Sequence, residues 1–173
     1  MMEEIDEEEI IKKIKQGKVF VYPTDTVYGL GCDALNDGAV KRIRDIKKSK
    51  KPFSVIASKE WIIKNCEIKK EYLDKLPGPY TFIVKMKKQC VSKEVSEGTL
   101  GVRIPDCDFT KIILRSRRPF VSTSVNLTSE PFLVDIKNLD KEIKEKVDVI
   151  VDAGKLENKP SRVIGLGGEV LRE

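Results

Sequence analysis

The stretch KVFVYPTDTVYGLGCDA, residues 18–34, determines how we interpret the rest of the chain. It opens with the apolar run Lys18-Val-Phe-Val-Tyr22, which Pro23 halts, and this pattern predicts a buried strand. Hydroxyl and carboxylate side chains follow at once in Thr24-Asp-Thr26. Such residues are typical of turns, and they are also suited to binding a polar ligand at the end of a strand.

The glycines of the same stretch match a loose dinucleotide-binding pattern, G-x-G-x-x-A, in Gly29-Leu-Gly31-Cys-Asp-Ala34. In a true site of that kind the glycine turn opens directly into a helix whose N-terminus meets the pyrophosphate. Here residues 35–38 intervene before helical periodicity begins. We therefore do not predict a dinucleotide site, and no G-x-x-x-x-G-K-[ST] stretch that would form a P-loop occurs.

Outward from this stretch, short strands alternate with short helices. Apolar spacing predicts helices over residues 3–16, from near Asn36 or Asp37 through Ile46, around Trp61 and over 109–114. Further strands are predicted at 53–57, 80–85, 100–104, 119–123 and 147–151, with a hairpin formed by 162–165 and 169–172. The alternation predicts one mixed α/β (α+β) domain over residues 1–173 built on a central sheet.

The amino-acid composition excludes several kinds of catalytic site. The chain has 173 residues, 33 Lys and Arg against 28 Asp and Glu, and no histidine. The absence of histidine excludes Ser-His-Asp and Cys-His catalysis and imidazole general bases. The four cysteines form no C-x-x-C pair, so we predict no metal site. The acidic N-terminus and the lack of a long apolar run predict a cytoplasmic protein without membrane segments.

Two clusters and one arginine are candidates for binding an anion. Seven basic residues with one acid fall between Lys41 and Lys51, and the last of them precede a strand. Such a run is usually a solvated helix face, although several lysines at a sheet end suit a phosphate. Polar residues from Ser122 to Asn126 follow an apolar strand and suit either a turn or a phosphate cradle. Arg103 ends a buried strand, which predicts a carboxylate or phosphate partner.

Five ordered motifs resemble those of the YrdC-like family, whose best-known members are L-threonylcarbamoyladenylate synthases. The first is Tyr22-Pro-Thr-Asp-Thr-Val-Tyr-Gly-Leu-Gly-Cys-Asp-Ala34. The others are Leu76-Pro-Gly-Pro-Tyr-Thr81, Thr99-Leu-Gly-Val-Arg-Ile-Pro105, Ser122-Thr-Ser-Val-Asn-Leu-Thr128 and Pro160-Ser-Arg-Val-Ile164. The resemblance implies a twisted, open mixed sheet with flanking helices and a basic concave surface.

The resemblance also implies an ATP-dependent nucleotidyltransferase. Its reaction would join L-threonine, bicarbonate and ATP, the last with Mg²⁺ bound, into threonylcarbamoyl-AMP and release pyrophosphate. The product would pass to a partner transferase that modifies adenosine 37 of tRNA. A monomer is expected. A site without histidine suits this chemistry, because nucleotidyl transfer depends mainly on positioning and on cations that neutralise phosphate charge.

Matching the motifs residue by residue assigns roles to individual side chains. Lys47 and Arg103 would be the catalytic residues. The threonine substrate would be held by Thr26, Arg103, Ser122 and Ser161. ATP would be held by Lys47, Lys48, Lys50, Thr99, Ser124, Asn126 and Arg172. Three positions depart from the family. Ser49 stands where its K-x-R motif has arginine, on a shortened loop, and Lys48 or Lys50 would supply the missing charge. Ile56 stands where many synthases have histidine, and Phe132 replaces a small polar residue beyond the S-x-N loop.

A second interpretation stays open at this point. A non-catalytic paralogue could use the basic concavity to bind double-stranded RNA or tRNA through phosphate contacts. The cations available for that purpose are Lys47, Lys48, Lys50, Lys51, Arg115, Arg117 and Arg118. Aromatic residues make up only 6% of the chain, which argues against recognition of single strands by base stacking.

Overall fold

A computed structural model describes residues 5–127 and 130–173, which form a mixed sheet flanked by short helices. The helices are α1 (Glu7–Lys15), α2 (Asp37–Lys47), α3 (Lys59–Asn65), α4 (Lys70–Leu73), α5 (Asp108–Arg115) and α6 (Lys141–Lys146). The strands are β1 (Phe20–Tyr22), β2 (Gly29–Gly31), β3 (Ser54–Ile56), β4 (Cys66–Glu67), β5 (Tyr80–Met86), β6 (Thr99–Arg103), β7 (Phe120–Ser124), β8 (Val149–Ile150), β9 (Arg162–Ile164) and β10 (Val170–Arg172). A 3₁₀ turn covers Ile136–Asn138.

The sheet confirms the predicted fold class. Its strand order is β10-β9-β5-β6-β3-β7-β2-β1-β8, and β4 pairs with the end of β5. The pairs β3–β6, β5–β9 and β1–β8 are parallel, and the other pairs are antiparallel. The predicted hairpin at residues 162–172 is present as β9 and β10. None of the helices within the described residues combines the length and apolarity needed to cross a membrane.

The helices begin and end where local chemistry dictates. In α1 the Asp6 side chain accepts a hydrogen bond from the Glu9 N–H at 3.2 Å, and Gly17, at φ +77°, follows the last turn. In α2 the Asn36 side chain caps the Ala39 N–H at 3.0 Å, and Lys48 ends the helix in the left-handed region at φ 51°. Both predicted helices are therefore confirmed.

The two faces of the sheet are covered differently. On one face Val55, Val102 and Val121 are fully buried in the main core, to which α2 contributes its apolar stripe. On the other face Ile56 and Phe120 lie opposite each other and pack against α1 and α5 in a second cluster. Because strand side chains alternate between faces, Ser54 and Ser122 lie on this second face, two positions away from Ile56 and Phe120. There the helices no longer cover the sheet, and a cavity opens.

The glycine segment of the first motif is a strand, which the pattern analysis did not predict. Gly31 lies opposite Phe20, and a Cβ atom at Gly31 would come within 2.0 Å of the Val121 carbonyl oxygen. These glycines therefore allow close packing of strands. They open no helix, since α2 begins only at Asp37. The short elements β4, α4 and α6 were also missing from the sequence prediction.

Candidate active site

A cavity of about 160 Å³ lies on the partly uncovered face of the sheet. This volume suits a small organic molecule better than a whole nucleotide, since one water takes roughly 30 Å³. Six residues assigned from the sequence line the cavity: Thr26, Arg103, Ser122, Ser124, Ser161 and Arg172. Hydroxyl groups and guanidinium groups dominate the lining, and the described lining residues include no carboxylate. The cavity is therefore suited to an anionic group.

The β1–β2 loop supplies one wall of the cavity through two buried threonines. The hydroxyl of Thr24 donates to the Val27 carbonyl at 2.6 Å and accepts from the Thr26 N–H at 3.1 Å. The two hydroxyl oxygens lie 3.0 Å apart. Thr24 is 4% exposed and Thr26 is 1% exposed, so this arrangement is fixed by burial as well as by hydrogen bonds.

Arg103 ends β6 at the base of the same wall. Its Nη2 donates to Asp25 Oδ1 at 3.1 Å and to Thr26 Oγ1 at 3.2 Å. The other carboxylate oxygen of Asp25 accepts the Asp106 N–H at 3.0 Å. The Arg103 Nε–H is buried and has no hydrogen-bond partner within the described residues. A buried, unpaired donor on a cation is costly, and an anionic ligand would satisfy it.

Arg172 and Ser161 form the opposite wall. Arg172 donates from Nε to the Ser161 carbonyl and from Nη2 to the Ser161 hydroxyl, both at 2.9 Å. Thr81 lies 2.9 Å from the same hydroxyl. Burial, and then the positive charge of Arg103, lower the pKa of Arg172. The two arginines thus face a common space, and their repulsion favours a bound anion between them.

Lys47 does not line the cavity but lies directly beside it. Its ammonium donates to the Ser124 carbonyl at 2.7 Å and to the Asn126 carbonyl at 2.6 Å. The side-chain oxygens of the same two residues, Ser124 Oγ and Asn126 Oδ1, lie 3.3 and 3.2 Å from the ammonium. Burial, and then the charge of Lys51, lower the pKa of Lys47 to about 8. These contacts hold the loop that follows β7. Asn126, like Lys47, does not line the cavity.

The other predicted ATP ligands are not brought into the cavity. Lys48 and Lys50 are exposed on the loop before β3, and neither lines the cavity. Thr99 lies on the same sheet face as Arg103 but at the opposite end of β6, four positions away. The Ser122–Thr128 motif is described up to residue 127, and Thr128 lies outside the described residues.

The structure adds lining residues that sequence reasoning did not assign. The sequence motifs assign no ligand to Thr24 or Thr81, and both line the cavity. Phe53 and Phe132 contribute aromatic surface, and the Arg172 guanidinium lies 5.8 Å from the Phe132 ring. Thr81 could have been found because it follows Pro77-Gly-Pro79 at the start of a strand, beside the end of β6.

Several cations proposed for RNA binding are already engaged. Arg115 bonds Glu7 and Glu8 of α1, and Arg118 lies 3.6 Å from the buried carboxylate of Asp33. Lys47 is 9% exposed and holds the loop after β7. A phosphate surface built from these side chains would have to break existing contacts, which disfavours the RNA-binding interpretation.

An open mixed sheet with a polar, cationic cavity on one face defines a small-molecule-binding α/β domain. Within that class, the chain belongs to the Sua5/YciO/YrdC family, described as "Telomere recombination", whose sequence model matches residues 12–173.

Known relatives agree with this assignment. A putative threonylcarbamoyl-AMP synthase of Methanocaldococcus jannaschii is 36% identical over 161 residues, which cover 88% of this chain and 76% of the relative. A threonylcarbamoyl-AMP synthase of Coxiella burnetii is 34% identical over 178 residues, which cover 94% of each chain.

Two solved structures share the fold closely. Pyrococcus abyssi Sua5 complexed with L-threonine superposes with a TM-score of 0.85 at 29% identity, over 98% of this chain and 55% of Sua5. Escherichia coli YciO superposes with a TM-score of 0.85 at 26% identity, over 99% of this chain and 92% of YciO. The present chain thus spans about half the length of Sua5.

Proposed function

We propose that this chain is a threonylcarbamoyl-AMP synthase, which forms threonylcarbamoyl-AMP from L-threonine, bicarbonate and ATP. The observation that carries the proposal is the guanidinium of Arg103, which lines the hydroxyl-rich cavity and whose buried Nε–H has no hydrogen-bond partner among the described residues. An amino-acid carboxylate would satisfy that donor and compensate the positive charge that remains on Arg103 and Arg172 beside the Asp25 carboxylate. The names of the curated relatives and the threonine complex of Sua5 support the choice of substrate.

The reaction divides into two bond-forming steps. The amino group of threonine first releases its ammonium proton to solvent, and it then attacks the carbon of bicarbonate and gives a carbamate with loss of water. A carbamate oxygen then attacks the α-phosphorus of ATP, and pyrophosphate leaves. The described cavity lining offers no carboxylate or histidine as a general base. Rate enhancement therefore depends on orientation of the reactants and on guanidinium charge placed where negative charge develops.

The nucleotide would extend out of the cavity, because the cavity is too small for it. Ser124 at the cavity edge and the loop that Lys47 holds would face its phosphates. Mg²⁺ would enter bound to ATP and neutralise phosphate charge, since the described lining residues offer no carboxylate ligand. The product would be used by a transferase that modifies tRNA.

Pyrophosphate release tests the proposal. With ATP and bicarbonate present, we expect release that depends on L-threonine and is much slower with glycine or L-valine. Arg103→Lys keeps the charge but loses the planar fork, so we expect at least a tenfold loss, which corresponds to about 1.4 kcal/mol. Lys111→Ala, on an exposed turn of α5, is the matched control and should be unaffected. An intact protein without threonine-dependent release would refute the proposed activity.

A further inference from the structure

The three side chains Thr24, Thr26 and Arg103 form a hydrogen-bond chain whose direction can be worked out proton by proton. A hydroxyl has one proton to donate and two lone pairs that accept. A carbonyl oxygen only accepts, so the contact of 2.6 Å between the Thr24 hydroxyl and the Val27 carbonyl uses the proton of Thr24. The Thr24 hydroxyl therefore has no proton left to offer to its neighbours.

This fixes the proton of Thr26. The two hydroxyl oxygens lie 3.0 Å apart, and because Thr24 has used its proton, Thr26 must be the donor between them. The second lone pair of Thr24 accepts the Thr26 N–H at 3.1 Å, so all its hydrogen-bonding capacity is used. Arg103, which can only donate, occupies one lone pair of Thr26 at 3.2 Å. One lone pair of Thr26 remains, and Thr26 can only accept from a ligand in the cavity.

We propose that Thr24 is a positioning residue that sets Thr26 as the acceptor for the α-amino group of the amino-acid substrate; this inference rests on the proposed function. A carboxylate bound at Arg103 brings the neighbouring α-amino group next to Thr26, because Thr26 and Arg103 are in direct contact. The direction of this hydrogen bond matters chemically. An amino group that donates N–H to Thr26 keeps its own lone pair free to attack carbon. If Thr26 were the donor, its proton would occupy that lone pair.

The test measures the binding of two ligands to the wild type and to two variants of Thr24. L-Threonine and (R)-3-hydroxybutanoate share the carboxylate and the hydroxyl, but only threonine has the amino group. Thr24→Val removes the hydroxyl, leaves Thr26 free to rotate its proton, and is expected to weaken threonine binding about tenfold. Binding of 3-hydroxybutanoate should change less than twofold, because it does not use the Thr26 acceptor. Thr24→Ser keeps the hydroxyl and should retain the wild-type preference for threonine. Titration calorimetry measures all six affinities, and thermal unfolding shows that each variant is folded.

The outcomes separate this inference from the proposed function. A Thr24→Val protein that loses affinity equally for both ligands, or for neither, contradicts the role of Thr24 while leaving the synthase activity in place. Equal binding of both ligands by the wild-type protein would also contradict the inference about Thr24. This comparison needs only the wild type, so it remains valid if Thr24→Val does not fold. Wild-type protein that is folded and binds no threonine contradicts the proposed function itself.

Discussion

Arg103 lies 3.1 Å from Asp25, and their side chains are only 9% and 11% exposed. The pair joins the β1–β2 loop to the end of β6, and Asp25 also accepts the Asp106 N–H. Asp25 therefore holds Arg103 in place and compensates its charge.

Asp25→Ala should lower the free energy of unfolding by about 3–5 kcal/mol, because it leaves a buried guanidinium uncompensated. The double variant Asp25→Ala/Arg103→Met removes that charge as well and should regain most of the loss. Urea denaturation of the two single variants and the double variant gives the coupling free energy. Strictly additive effects would mean that the pair contributes nothing as a pair.

Activity should fall as the pH rises through the pKa of Lys47. Burial and the charge of Lys51 lower this pKa to about 8, so above that pH the side chain loses the charge with which it holds the loop that would face the nucleotide phosphates. We expect kcat/KM for ATP to decline above about pH 8 in the wild type. Lys47→Arg stays charged, and in that variant the decline should disappear. A decline at the same pH in both proteins would assign it to another group.

The same pKa has the opposite effect on stability. In the unfolded chain Lys47 titrates at its ordinary value of 10.5, so between about pH 8 and 10.5 the unfolded state binds more protons than the folded state. The contribution of Lys47 to the free energy of unfolding therefore rises with pH across that range. Denaturation of the wild type and Lys47→Met at pH 7.5 and 9.5 isolates it, and the stability difference should shift in favour of the wild type at the higher pH.

Arg44 should protect the loop before β3 from proteolysis. Its guanidinium donates to the carbonyls of Ser49, Lys51, Glu94 and Val95 and lies 3.6 Å from the Phe53 ring centre. Lysine cannot reproduce this planar set of contacts. Arg44→Lys should therefore make trypsin cut after Lys48 and Lys50 several-fold faster, as measured by mass spectrometry of the fragments.

Arg42→Lys is the matched control for that experiment. Arg42 lies on the same helix but pairs with Asp148, away from the loop. Its substitution should leave cleavage at Lys48 and Lys50 unchanged. Equal acceleration in both variants would show that general loosening of α2, and not the contacts of Arg44, exposes the loop.

Gly31→Ala should destabilise the fold strongly. The added Cβ would come within 2.0 Å of the Val121 carbonyl, and only backbone movement relieves that contact. We expect a loss at or above the upper end of the ~1–3 kcal/mol typical of overpacking. Gly38→Ala, whose nearest contact is 3.6 Å in the first turn of α2, should be neutral or slightly stabilising. Thermal unfolding compares the two, and similar midpoints would contradict the packing role of Gly31.

Local patterns predicted most of the elements because their causes are local. The helix α2 follows from the Asn36 cap and from apolar residues at helical spacing. The strand β2 has no such signal, since its Gly-Leu-Gly sequence is extended only because β1 and β7 pair with it on both sides. The two-residue strand β4 depends in the same way on its pairing with β5.

The site was predictable in residue type but not in geometry. The sequence predicts a carboxylate or phosphate partner for Arg103, yet Asp25 lies 78 positions away in the chain and no spacing rule identifies it. The burial of Lys47 did leave a signal. It follows Val40 by seven residues and Ile43 by four, which places it on the buried stripe of α2 and not on the solvated face expected for a lysine run.

One face of the sheet is shared between the second apolar cluster and the cavity. This arrangement limits which residues of the cavity can be substituted without disturbing the packing. Ser54 and Ser122 lie two positions along the same strands from Ile56 and Phe120, which are fully buried. The floor of the cavity cannot shift without disturbing the packing of α1 and α5. Substitutions that change which molecule fits would therefore fall on lining residues outside that packed face, such as Phe53 and Phe132.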